Sequence, residues 1–203
     1  MVNFTLNVGL IYSFYVVILL TFKIFFRQSE KIDLPEKFVE SFKIDKVILI
    51  TLSILETFIL FLIVFKNSLV LGFNFYIPFL FRLFGLGLGY FGLVFITLSL
   101  IKLKGRYSAT LNIKKGHQLV QNGIYRYIRH PIYTGLFLLH LGVTLALANI
   151  FVAIVWIGGI LIFLFHRVPK EEALLEYYFK EKYRDYKAST GLFLPKFYQR
   201  NKL

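Results

Sequence analysis

The 203-residue chain contains no cysteine, which excludes disulfides and thiolate metal sites and leaves no sign of redox compartment. Acidic residues are scarce, 11 Asp and Glu against 24 Lys and Arg, and charged residues of both signs make up only 17% of the chain. Soluble domains carry about a quarter charged residues, so a chain that is 57% hydrophobic and 19% aromatic reads as an integral membrane protein. The N-terminus lacks a basic leader and a small-residue cleavage pattern, so its first apolar run is expected to remain as a span rather than leave as a signal peptide. Internal repeats and low-complexity tracts are lacking too.

Five segments are apolar enough to cross a bilayer: 8 to 26, 47 to 65, 77 to 101, 132 to 148 and 150 to 166. The expected fold is all-α, one membrane domain over 1 to 203 with five transmembrane helices, a cytoplasmic cofactor-binding loop and a C-terminal interfacial helix. The first three spans fill 1 to 101, and 102 to 203 forms the catalytic region around the hairpin 132 to 166. The formal net charge of +13 does not point to nucleic acid, because the positive residues follow topology. Lys and Arg number six in 23 to 46, one in 66 to 76, seven in 102 to 131 and nine in 167 to 203, with Arg82 the last. Basic loops lie inside, which puts the N-terminus outside and the tail and loop 102 to 131 in the cytoplasm. That loop has no Asp or Glu at all, and anionic lipid headgroups suit its lysines.

Several candidate motifs carry no chemistry. "GLGYFG" at 87 to 92 fits G-x-G-x-x-G but lies inside a span rather than between a strand and a helix, so Gly85, Gly89 and Gly92 read as helix-packing positions. His117, His130, His140 and His166 lack the spacing of a metal site, and no metal is expected. Glu56 and Arg82 lie within spans, about 9 Å apart in depth at ~1.5 Å per residue, and read as a structural pair or a protonated Glu56. "RQSEKIDLPEKFVESFKIDK" reads as a solvated connector with room for a short helix after Pro35.

One constellation remains. "AN" at 148 and 149 makes the last two spans a tight hairpin, so residues 117 to 133 entering it and 166 to 172 leaving it are neighbours. The first stretch reads "GHQLVQNGIYRYIRHPIY" and the second "HRVPKEEALL". Together they offer rings to stack on a purine, turn backbone for a ribose, carboxylates for a cation and arginine for an anion. Pro169 suits the start of the interfacial helix, Glu171 and Glu172 its first turn, and Leu174, Leu175, Tyr178 and Tyr186 its apolar face.

Here the sequence resembles the integral-membrane isoprenylcysteine carboxyl methyltransferases, closest to their archaeal and bacterial members. The resemblance covers roughly 76 to 197 and rests on "YSATLNIKKGHQLV", "NGIYRYIRHPIY", "RVPKEEALL" and "EKYRDYKASTGLFLP". It implies S-adenosylmethionine as cofactor, bound by His117, Gln118, Leu119, Val120, Tyr125, His130, Pro131, Ile132, Tyr133 and Glu171. It also implies that Arg167 meets the carboxylate of a prenylated substrate. The glycine often following Phe179 is Lys180 here, the aromatic opening the loop motif is Tyr107 rather than Trp, and the arginine before the final Leu-x-Pro is Leu192.

A carboxylate is already a nucleophile at neutral pH, so its methylation needs positioning and desolvation rather than a base. Two other readings stay open. A phospholipid N-methyltransferase acting on a phosphatidylethanolamine-type amine would need a base such as Glu172. A small channel or transporter would need inverted repeats or polar positions along its spans, which the sequence lacks.

Overall fold

The computed structural model describes residues 36–65, 71–103 and 119–196. The expected span at 8 to 26, most of the basic loop, and His117 and Gln118 lie outside the described residues. Among those described are α1 (Glu36–Val64), α2 (Phe79–Leu103), α3 (Pro131–Leu147), α4 (Ile150–Phe179) and α5 (Glu181–Ser189). A 3-10 turn, Gly123–Arg126, precedes α3, and α4 widens into a π turn at Ala153–Ile157.

Among the described residues, three stretches are long and apolar enough to cross a membrane: Lys43–Ile63, Phe79–Leu103 and Ile150–Phe179. The 17 residues of α3 rise about 25 Å at ~1.5 Å each, somewhat short of a ~30 Å hydrocarbon core. The spans turn outward side chains that suit lipid, among them Leu80, Phe84, Ile162 and Phe165. Ile63, Leu100, Leu139, Val152 and Trp156 pack inside.

Sequence spacing explains the tightest pairing. Gly85, Gly89 and Gly92 fall on one face of α2, and Gly135 and Gly142, two turns apart, fall on one face of α3. A methyl group on Gly92 would stand 2.6 Å from the Gly135 carbonyl oxygen, and one on Gly85 would stand 2.7 Å from that of Gly142. The two backbones touch, which only small residues permit. Gly87 faces open space, so it takes no part in the seam.

The hairpin turn is as short as expected. Ala148 adopts the left-handed conformation (φ 49°, ψ 52°) and ends α3, while the Asn149 side chain caps α4 by accepting from the Phe151 and Val152 amides. Asn149 also donates to Asn74 Oδ1 at 2.7 Å, tying the turn to the segment before α2.

Two expectations are corrected. The helix after Pro35 is no short piece of a connector: α1 starts at Glu36 and runs unbroken through the second span. Nor does Pro169 open a new helix, for it lies inside α4, and the break falls at Lys180 (φ 46°, ψ −126°) instead. Helix interiors near membranes accommodate proline when tertiary contacts hold the turn. Here Arg167, Lys170, Glu171 and Glu172, on either side of Pro169, are all engaged with other helices or the loop.

Candidate active site

The loop before α3 is built on the tail. Gly123 takes a positive φ (62°), where an added side chain would strike Lys102. After the 3-10 turn, residues 127 to 130 run beside residues 190 to 192. The Arg129 and His130 amides donate to the Gly191 and Leu192 carbonyls at 2.8 and 3.1 Å, and the Gly191 amide returns a bond to Tyr127. Thr134 Oγ1 donates to the Phe193 carbonyl, and Tyr186 Oη to that of Tyr125 at 2.6 Å.

Glu172 is the centre of one polar cluster. Arg129 Nε donates to it at 2.8 Å, Lys187 Nζ lies at 3.0 Å and Tyr183 Oη at 3.3 Å. His130 Nε2 lies 3.4 Å away without hydrogen-bond alignment. The Arg129 guanidinium also reaches the Lys187 and Thr190 carbonyls, so loop, α4 and α5 meet on one side chain. Burial, reinforced by the Glu172 carboxylate, pushes the Tyr183 phenol well above its ordinary pKa, and burial does the same to Tyr186.

A second cluster lies one helical turn away. Tyr133 Oη donates to Glu171 Oε2 at 2.5 Å and accepts from Arg167 Nε at 3.2 Å. Arg167, 2% exposed, stands 3.8 Å from the same carboxylate oxygen, and its Nη1 donates to Asp45 of α1 at 3.3 Å. Asp45, 1% exposed, also takes His166 Nδ1 at 2.6 Å and Lys170 Nζ at 3.2 Å. The His130 and Tyr133 rings stack nearly parallel, 13° between planes and 5.5 Å between centroids.

The structure thus brings together Tyr125, His130, Pro131, Ile132, Tyr133, Arg167, Glu171 and Glu172. Pro131 is the first residue of α3 and Ile132 packs in the core, while Leu119 and Val120 lie half-buried in the approach to the 3-10 turn. Glu172 is a shared tie rather than a free carboxylate. Sequence reasoning missed Asp45, Arg129 and Tyr183. An aspartate one residue before Lys46 and an apolar run is the available signal for Asp45, and Arg129 stands inside R-H-P-x-Y.

Glu56 pairs with His140, not Arg82, among the described residues: its Oε1 lies 3.4 Å from His140 Nε2, and Nδ1 sits 2.6 Å from the Leu136 carbonyl.

Spans packed on a glycine seam, with buried ionic clusters where an apolar hairpin meets its charged tail, define a helical integral membrane protein with a polar site at one end. Residues 85–177 match the isoprenylcysteine carboxyl methyltransferase (ICMT) family. The chain is 35% identical over 81 residues to the protein-S-isoprenylcysteine O-methyltransferase of Schizosaccharomyces pombe, a match covering 40% of this chain and 34% of that protein. It is 32% identical over 85 residues to protein-S-isoprenylcysteine O-methyltransferase A of Arabidopsis thaliana, covering 42% and 43%. Against the mouse enzyme of the same name, identity is 35% over 79 residues, covering 39% and 28%. The matches therefore span between about a quarter and somewhat under half of those relatives' lengths. The fold also matches the solved structure of the eukaryotic intramembrane Ras methyltransferase ICMT, with a TM-score of 0.54 at 22% identity over 76% of this chain and 52% of that one. Over its central region the chain is similar in sequence to isoprenylcysteine carboxyl methyltransferases, and over three quarters of its length it shares the fold of the solved ICMT structure. Methyl transfer, the chemistry those relatives' names state, requires a methyl donor.

Proposed function

We propose that this protein transfers a methyl group to the C-terminal carboxylate of a prenylated cysteine, giving a methyl ester, with S-adenosylmethionine as donor. The observation that carries the reading is the buried Arg167, held between Tyr133, Glu171 and Asp45 where an apolar hairpin ends and inside the region matched to the family.

The residues present fit the cofactor. Stacked His130 and Tyr133 rings suit a purine or a sulfonium face, the His130 Nε2 is buried without a hydrogen-bond partner among the described residues, and Glu171, more accessible than Arg167 and Asp45, suits a cationic group. Bound S-adenosylmethionine supplies an electrophilic methyl group. The chain's own residues do the rest. Glu171, oriented by the Tyr133 hydroxyl, sets the negative end of the site. Arg167 presents a planar fork that fixes two oxygens of a carboxylate, and burial strips water from that nucleophile, which strengthens its pairing with the guanidinium. The prenyl chain stays among the apolar spans. A cationic amine acceptor finds Arg167 repulsive and no unpaired carboxylate at Glu172 to serve as base, so the geometry favours the acid over the amine.

Five spans with the N-terminus outside and the site cytoplasmic complete the reading. It is supported by the distribution of basic residues and by Asp45, in the first turns of α1 before its apolar run, lying against His166 and Arg167. A C-terminal tag should be shielded from impermeant label in intact cells, and labelling there would reverse the orientation. Arg167→Lys tests the chemistry: it keeps the charge but loses the fork, so turnover of a prenylcysteine should drop steeply while cofactor affinity holds. Near-normal turnover by a folded Arg167→Lys protein defeats the assignment.

A further inference from the structure

The substrate-facing arginine of this reading is not idle in the structure. Its Nη1 is paired with Asp45, a carboxylate from a different helix, and both side chains are almost fully buried. An incoming carboxylate and Asp45 compete for one guanidinium, because both charges on it at once would leave an uncompensated anion in a site with little water. We propose that Asp45 is the resident counter-ion of Arg167, a stand-in for the acceptor carboxylate that the acceptor must displace. It thereby sets how strongly the site takes anionic acceptors, and the inference rests on the carboxyl methyltransferase reading.

Three features support displacement over a fixed brace. Among the described residues, Arg167 stands 3.3 Å from Asp45, no nearer than Lys170 at 3.2 Å and well beyond His166 at 2.6 Å. Both of the other contacts fall on Oδ1, whereas Arg167 takes Oδ2. Asp45 can release Arg167 and remain bonded to two donors, one of them a full cation, so its charge is never left bare. Arg167 in turn keeps Tyr133 and the nearby Glu171, which hold its orientation during the exchange. Without Asp45 the arginine would keep Glu171 as counter-ion, and an acceptor carboxylate would bind without Asp45 as competitor. With it, a neutral group gains nothing from the swap, so binding depends on the acceptor's own charge.

The test uses full-length protein in membranes, a prenylcysteine acceptor, and the neutral prenylcysteine amide as inhibitor. Asp45→Asn removes the competing charge and should lower the acceptor KM about fivefold or more, the low end of ordinary coupling between ligands of one protein. Lys170→Gln removes the full cation that draws Asp45 away from Arg167, and should raise the acceptor KM by a similar factor. Cofactor affinity and inhibition by the amide should move in neither variant. Opposite shifts support the inference, since loss of mere structural support would raise KM in both. A KM that rises in Asp45→Asn, or stays fixed in both, overturns it. If Asp45→Asn does not fold, Lys170→Gln decides, its side chain being 22% exposed: a raised KM with unchanged amide inhibition supports the stand-in role, and an unchanged KM rejects it. If the wild-type protein forms no ester from any prenylcysteine, the functional reading fails and this inference with it. Ester formation without the opposed shifts sinks the inference alone.

Discussion

Arg129→Ala should detach the C-terminal tail from the loop that opens α3. The guanidinium, 9% exposed, gives Nε to Glu172 at 2.8 Å and Nη1 to the carbonyls of Lys187 and Thr190. Hydrogen bonds to charged groups contribute about 1.5 to 3 kcal/mol, and breaking a buried pair costs about 3 to 5 kcal/mol. Glu172 keeps Lys187 and Tyr183 and is 12% exposed, so the lower end applies, about 3 kcal/mol. At about 2 to 4 °C per kcal/mol for a chain of this size, the unfolding midpoint in detergent should drop by about 6 to 12 °C. Arg129→Lys retains the charge without the fork and should lose about half of that. Because Arg129 and Glu172 touch, the double variant with Glu172→Gln should show a coupling of about 1 kcal/mol or more. Limited proteolysis should cut the tail earlier in Arg129→Ala. A coupling below about 0.5 kcal/mol, or a tail that resists protease as in the wild type, refutes the claim that this arginine joins loop to tail.

Lys180→Gly relieves a side chain held at φ 46°, ψ −126° between α4 and α5. Strain of about 1 to 3 kcal/mol, less glycine's entropy cost of about 0.5 to 1, should leave a net gain near 1 kcal/mol. The unfolding midpoint should rise by about 2 to 4 °C, and a fall would contradict the strain. Glu171→Gln removes the charge that Tyr133 orients and should weaken S-adenosylmethionine binding by about 1.5 to 3 kcal/mol in calorimetry, with unchanged affinity removing Glu171 from the cofactor site.

What the sequence made legible was local or set by connectivity. The two-residue turn at Ala148 and Asn149 forced the inner ends of α3 and α4 together, and that alone placed Tyr133 beside Glu171 and Arg167. The glycines at 85, 89 and 92 were readable because their spacing defines one helix face. Pro169 misled because a preference for the first turn of a helix is a local rule, overridden here by ionic contacts on both sides of it. Asp45 was hidden because a charge in a basic connector looks like any other until α1 is packed on α4. Which residue Glu56 meets depended on the rotation of α1 against α3, about which depth along a span says nothing. Lys180 stood where the resembled family often has glycine, and its positive φ supplies the reason.

The most direct measurement of the central claim is transfer of radiolabelled methyl in membranes containing the protein, with a prenylated cysteine analogue and phosphatidylethanolamine offered side by side. Label is expected on the prenylcysteine, released by mild base as volatile methanol as an ester requires, with no more than a small residue of it in Arg167→Lys. Base-stable label on the phospholipid, with the prenylcysteine unlabelled, would contradict that claim.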